Sequence, residues 1–387
     1  MNGQKMEQTL QQAVAEGFIT GGNLMVLKDG KEQFYCAAGY ADRDAKTPIE
    51  RNTIFRLYSM SKPVTAAAAM ILMEEGKIDL MDPVSLYIKS FQEQKVWTEE
   101  GLVPVERPVE IRDLLSMTSG LVYGGGPSVP EEAAQKVFDE AIAKLGTPEE
   151  IGTVEMAERL GACPLMFQPG TQFIYGTSAD ILGAIVEVVS GQRFGTFLKE
   201  RIFDPLGMED TGFYVPGVKQ GRLSKVYVNG QTEQVYTFPH LAIQNTMEQE
   251  PCFESGGAGL VSTITDYARF AEMLLNGGTY KGQRILSEAT VRFMTTHHLT
   301  AEQQVYMEAS WEGLAGYSYG NLLRVLVDPG KAVHMAFAGE YGWDGWLGPY
   351  FCNAPEDKMT FLLMYQLTDA GTTRLTRLLL NALGAAL

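Results

Sequence analysis

The apolar patterning of this chain falls into three blocks whose order leaves few folds open. Near the amino end, after an amphipathic run over residues 1–14, strand-like residues 23–28 and 32–37 flank Asp29-Gly30, a pair suited to a tight hairpin. From Pro63 to about Leu206 helical patterns dominate, with amphipathic runs at 131–145, 149–160 and 179–189, and a further run at 265–276. From Tyr317 β-branched and aromatic runs return at 319–327, 332–338, 346–352 and 359–365, before a last helical run at 372–383. Strands at both ends must share one sheet to bury their faces, and the last helix would cover one side of it. The expected class is α+β: an antiparallel sheet flanked by helices, with an inserted mostly helical lobe. Residues 1–62 and 255–387 would make the sheet lobe and 63–254 the helical lobe, with an active site between them. At 387 residues the chain exceeds one typical domain, yet no Pro- or Ser-rich linker and no internal repeat divides it.

The chemistry concentrates at Ser59-Met60-Ser61-Lys62. Residues 53–60 read as an extended entry, and the Ala-rich run that follows is a strong helix former closed by Gly76. Pro63 fits only a first helical turn, which puts Ser59 and Lys62 at the helix mouth. Side chains at i and i+3 share a face, so the Lys62 amine lies over the Ser59 hydroxyl, and the helix N-terminus favours a developing alkoxide. That is the arrangement of an activated nucleophile. The structural alternative is a capping Ser59 with a solvated Lys62. Two further segments bear on the choice. Tyr175 ends an aromatic run just before the helical pattern at 179–190, where a phenol could exchange protons with Lys62 and Ser59; a core tyrosine with a satisfied hydroxyl reads equally well. Residues 339–351 are rich in Gly and aromatic side chains, which suits close backbone approach to a substrate or, equally, a bulge.

With these motifs in view, the chain resembles the serine β-lactamase and penicillin-recognising family, in particular class C β-lactamases and family VIII carboxylesterases. The resemblance runs over nearly the whole length, through the Ser59–Lys62 element, Ile111 to Leu121, Tyr175-Gly176-Thr177, Gly256 to Thr263 and Gly342-Trp343-Asp344-Gly345. It implies the β-lactamase/transpeptidase-like fold, Ser59 as the acylated nucleophile, Lys62 as its proton acceptor and Tyr175 as the relay to the leaving group. It leaves open which of Lys62 and Tyr175 is the base. By the same match the oxyanion hole is made by the backbone N–H groups of Ser59 and Trp346, and Tyr123, Thr177, Trp343, Asp344 and Gly345 border the substrate. The chain departs from the family pattern twice. Thr177 stands where class C enzymes carry an Asn amide, and Trp343-Asp344-Gly345 replaces Lys-Thr-Gly. The second change removes the cation and hydroxyl that hold a substrate carboxylate and supplies a carboxylate that would repel it, unless Asp344 faces away from the pocket. Both changes favour a small neutral ester over a penicillin.

The remaining features narrow the class. With 47 acidic against 31 basic residues, and a net charge of −16, a polyanion such as nucleic acid is a poor partner. Cys36, Cys163, Cys252 and Cys352 are mutually isolated and read as buried free thiols, not a zinc or redox centre. His240, His297, His298 and His334 are present, but no G-x-S-x-G elbow accompanies them. No stretch approaches the length of a membrane span and the amino end lacks the apolar core of a signal peptide, so a cytoplasmic address without membrane partner is expected. The reading is a serine hydrolase without metal or organic cofactor, acting on a small-molecule ester or amide. Its rivals are a β-lactamase or D-amino-acid peptidase, an acyltransferase, and a catalytically silent scaffold.

Overall fold

The computed structural model describes residues 1–387. Helix α1 (Gln4–Ala15) leads into strands β1 (Gly21–Lys28), β2 (Lys31–Asp42) and β3 (Thr47–Pro48), and then into the short β4 (Ile54–Arg56). The largely helical middle contains α2 (Lys62–Glu74), α3 (Val129–Lys144), α4 (Thr153–Gly161) and α5 (Ser178–Ser190). Beyond it come β5 (Val261–Thr263), α6 (Ile264–Leu275), β6 (Tyr317–Tyr319), β7 (Arg324–Leu326), β8 (Tyr341–Asp344), β9 (Tyr350–Ala354), β10 (Met359–Tyr365) and α7 (Arg374–Gly384).

Eight strands form one antiparallel sheet in the order β6-β7-β8-β9-β10-β1-β2-β3, so the two ends of the chain meet at its centre. Register Gly22↔Tyr365 through Lys28↔Met359 makes that join, and β10 is buried along its whole length. The Asp29-Gly30 hairpin forms as its residues require, with φ of 52° and 69°. One face of the sheet is covered by α1 and α7, whose apolar stripes (Met6, Leu10; Leu375, Leu379, Leu383) interlock with Leu24, Phe361 and Leu363. The other face receives α6, where Tyr267 packs edge-on against Phe351 at 5.2 Å. Behind this lies α2, buried from Lys62 to Leu72, whose four consecutive alanines let α5 approach closely. Among the described residues no single helix is long and apolar enough to cross a membrane.

Three expected strands are resolved differently. The run at 319–327 is a hairpin, β6 and β7, because Gly320 and Asn321 open a turn that Leu322 completes at φ 58°. The run at 346–352 is a turn followed by β9: Gly345 N–H donates to the Pro349 carbonyl at 2.8 Å and the strand begins only at Tyr350. Residues 332–338 form no strand, since β7 pairs directly with β8 and leaves no vacant edge there. That segment instead lies against α7, with Met335 N–H on Asn381 Oδ1 (2.7 Å) and Phe337 buried among the α7 contacts. Of the cysteines, Cys36 and Cys352 are buried, Cys163 is partly so, and Cys252 is exposed, contrary to the expectation for that thiol.

Candidate active site

The segment bearing Ser59 is fixed from both sides before any chemistry is considered. Strand β4 pairs with β5, and the Leu57 N–H continues the ladder to the Leu260 carbonyl (2.8 Å). Tyr58 then adopts φ 45°, costly for a bulky residue, and its buried ring is held against Trp346 (4.9 Å between centroids) and His240 (5.8 Å). Residues Tyr58–Ser61 make a 3₁₀ turn that feeds directly into α2, where Pro63 occupies the first turn as its missing N–H allows. Ser61 is structural: its hydroxyl accepts the Leu260 N–H at 3.1 Å. Ser59, one turn before Lys62, is partly exposed at the floor of a cavity of about 600 Å³.

Lys62 is fully buried, and its amine has three oxygen neighbours: Ser59 Oγ at 3.1 Å, Tyr123 Oη at 3.1 Å and the Gly257 carbonyl at 2.9 Å. Burial pulls the amine down to about 7, while the carboxylates of Asp180 and Asp344 pull the other way. An ammonium would spend all three donors on these oxygens. The free amine keeps one N–H on Gly257, a carbonyl that can only accept, and has a lone pair for the Ser59 proton.

Tyr175 and Tyr123 reach this point from separate segments. Gly176 packs so tightly on residues 121–122 that a Cβ there would lie 2.1 Å from the Leu121 carbonyl oxygen, and this close approach brings the two phenols together with ring centroids 6.0 Å apart. The Tyr175 hydroxyl is hydrogen-bonded to Ser59 and accepts from Trp343 Nε1 at 3.1 Å. Lys62 lies over the Tyr175 ring, 4.6 Å from its centroid, and bonds to the hydroxyl of Tyr123 instead. Burial raises the pKa of both phenols, so each is a protonated donor at neutral pH; hydrogen bonds from Ser59 and Trp343 oppose the shift at Tyr175.

Trp343 and Asp344 point to opposite faces of β8, as successive strand residues must. Trp343 joins an aromatic wall with Tyr175 (5.6 Å), Trp311 (6.0 Å) and Tyr319 (5.1 Å). Asp344 is partly exposed at the cavity rim, where one carboxylate oxygen accepts from the Thr372 hydroxyl at 2.6 Å. Gly345 must be glycine, because a Cβ would meet the Leu57 carbonyl oxygen at 2.1 Å. That contact sets the next residue, Trp346, beside Ser59 on the cavity lining, with its indole stacked on His240 (4.1 Å) and donating to Asp369 (2.7 Å). Among the described hydrogen bonds neither the Ser59 nor the Trp346 backbone N–H has an intramolecular acceptor. The residues lining the cavity include Asp344 and Asp369 and no lysine or arginine.

Two expected substrate contacts lie elsewhere. Thr177 is fully buried, its hydroxyl without a partner and outside the cavity lining, because it stands at the start of α5 (φ −82°, ψ 9°) and not on an extended segment. Tyr123 is absent from the lining and serves Lys62. Trp311 and Asp180 were not anticipated. The only sequence signal for Asp180 is an acid in the otherwise apolar first turns of α5, and Trp311 has no periodic context at all. No group of His, Cys, Asp and Glu among the described residues is placed to hold a metal ion.

The Beta-lactamase family model matches residues 6–386 of the chain. Protein Rv1367c of Mycobacterium tuberculosis is 34% identical over 359 residues, covering 90% of this chain and 86% of that protein. Esterase EstB of Burkholderia gladioli is 27% identical over 358 residues, covering 89% and 85%. Among solved structures, EstCE1, described as a hydrolase with promiscuous acyltransferase activity, superposes with a TM-score of 0.83 at 26% identity, over 98% of this chain and 97% of that one.

Proposed function

This chain belongs to the Beta-lactamase family, and from that premise we propose that it is a carboxylesterase that hydrolyses small neutral esters through an acyl-enzyme on Ser59. It is a serine hydrolase; the ester preference is our reading. The observation that carries it is a serine hydroxyl 3.1 Å from a fully buried amine, which burial pulls down to about 7, at the floor of an aromatic-walled cavity with no cationic side chain in its lining. In this mechanism Ser59 Oγ attacks the ester carbonyl carbon and passes its proton to the neutral Lys62 amine. The carbonyl oxygen takes the negative charge, facing the N–H groups of Ser59 and Trp346. The C–O bond to the alcohol breaks as the alcohol receives a proton through Tyr175, and water then cleaves the acyl-serine by the reverse proton path. Lys62 is the base in this scheme because both phenols hold their protons more tightly. In this reading the reaction takes place between a sheet lobe of residues 1–62 and 255–387 and a helical lobe of residues 63–254.

Support for ester over β-lactam comes from Asp344 and Asp369 at the cavity, which disfavour a carboxylate-bearing substrate. EstB is an esterase by name and spans nearly the same length. The test is intact-mass spectrometry after a fluorophosphonate, with turnover of nitrophenyl acetate and butyrate beside a chromogenic cephalosporin. One adduct at Ser59, lost together with ester turnover in Ser59→Ala, is the expected result. Labelling at another serine would sink the mechanism, and faster cephalosporin than ester turnover would sink the substrate assignment. A second reading, acyl transfer, draws on the likeness to EstCE1 and predicts that added alcohol accelerates acyl release.

A further inference from the structure

We infer that Asp180, on α5 and outside the substrate cavity, is a positioning residue that governs the proton affinity of Lys62 through Gly257. The inference rests on Lys62 as the base for Ser59. Asp180 is 3% exposed, and its Oδ1 accepts twice from the glycine-rich segment before β5: from Ser255 Oγ at 2.5 Å and from the Gly257 N–H at 3.0 Å. The carbonyl of the same Gly257 accepts from the Lys62 amine at 2.9 Å. One peptide segment is therefore gripped on its donor side by a carboxylate and presents its acceptor side to the base.

The junction has no slack. A Cβ on Gly257 would come within 2.8 Å of Asp180 Oδ2 and 3.0 Å of Tyr123 Oη, so only glycine allows the carboxylate, the Tyr123 phenol and the Lys62 amine to converge there. The neighbouring Gly256 is equally confined, with its carbonyl on Thr65 Oγ1 of α2 at 2.7 Å. A buried carboxylate held by two donors could be a loop anchor and nothing more. Its position behind the Gly257 carbonyl adds an electrostatic role, because a charge in a water-poor site acts on the amine with little screening. The groups that face Lys62 are Ser59 on its own segment, Tyr123, Tyr175, Asp180 of α5 and Asp344 of β8. Of these the two aspartates oppose the effect of burial on the amine, Asp180 more than Asp344; burial in turn raises the Asp180 carboxyl, and the Ser255 hydroxyl, Lys62 and the Gly257 N–H pull it back toward the ionised form.

The sign follows from the mechanism. Lys62 must be neutral to accept the Ser59 proton, so kcat/KM rises with pH through the amine's pKa. A negative Asp180 favours the ammonium and keeps that limb higher than burial alone would set it. Asp180→Asn retains a carbonyl oxygen for Ser255 and Gly257 while removing the charge. It should move the acid limb for nitrophenyl butyrate hydrolysis down by about 0.5–1 pH unit, the lower end of what a nearby opposite charge produces. Ser255→Ala leaves Asp180 in place but removes its closest donor, which lowers the ionised fraction; it should move the limb the same way by less. It also keeps the question answerable if Asp180→Asn fails to fold. An acid limb that stays at the wild-type pH in both folded variants, or in Ser255→Ala alone if the other is lost, would reduce Asp180 to an anchor and overturn the inference. Failure of the underlying reading looks different: a wild-type profile that is flat from pH 5 to 9, with no acid limb to move, removes Lys62 as the base, and ester turnover that survives Ser59→Ala removes the nucleophile itself.

Discussion

Replacing Asp344 by Asn tests whether charge at the cavity rim sets the substrate class. The substitution keeps an acceptor for the Thr372 hydroxyl, which the carboxylate now engages at 2.6 Å, and changes little but the charge. Two unit charges about 4 Å apart interact by about 4 kcal/mol at an effective dielectric of 20 and by about 1 kcal/mol in water. Asp344 is partly exposed, so solvent screening discounts the larger figure and leaves about 1–2 kcal/mol against an anionic substrate. At about 1.4 kcal/mol per tenfold, Asp344→Asn should raise kcat/KM for a carboxylate-bearing nitrophenyl ester on the order of 5- to 30-fold. A neutral ester of the same length should change little. Asp344 also favours the Lys62 ammonium, so the comparison belongs near pH 8.5, where the amine is largely neutral in both proteins and a shift in its proton affinity does not enter the ratio. The advantage should shrink between about 0.01 M and 1 M salt, as the screening length falls from about 30 Å to about 3 Å. A ratio between the two esters that does not move on substitution, at either salt concentration, would refute the argument and show that the substrate never meets this carboxylate.

The site makes further predictions. In wild type, kcat/KM for a neutral ester should rise tenfold per pH unit below about 7 and level off above it, since burial has brought the required free amine into that range; a flat profile from pH 5 to 9 would remove Lys62 as the base. Lys62→Met and Tyr175→Phe should each lower kcat on the order of 10²-fold or more, with the double variant losing much less than the product, because both act on one proton path. Tyr123→Phe removes an oxygen from the amine without touching the cavity lining, so it should lower kcat and leave KM nearly unchanged; a KM effect alone would return Tyr123 to the substrate. Thr177→Val replaces a buried hydroxyl that has no partner, so it should leave both kinetic constants as they are and keep or raise thermal stability, with ester selectivity altered only if Thr177 does face the substrate.

How far the site could be read from the chain depended on how many segments each contact needs. Ser59 and Lys62 lie one helical turn apart, so their meeting follows from local geometry, and the structure places Oγ and Nζ at 3.1 Å. The shared sheet was legible for a similar reason: strand patterns at both ends have few ways to be buried, and β1 pairs with β10. Tyr175 is different, because its place at the end of an aromatic run fitted a core tyrosine equally well, and the likeness to a family pattern was what set it apart among 17 tyrosines. The same likeness carried Thr177 to the substrate by analogy with an Asn amide, and in the structure Thr177 stands at the start of α5 with its side chain buried. The segment 332–338 failed for a non-local reason: its alternation suits a strand, but pairing of β7 with β8 leaves it no edge. The least legible element is the support of Lys62, since Tyr123, Asp180 and Gly257 come from three segments joined by glycines with no room for a Cβ. A chain that specifies its nucleophile in four consecutive residues thus distributes the control of its base over more than a hundred, and substitutions at the glycines that bring those segments together can alter the chemistry without touching any residue of the motif.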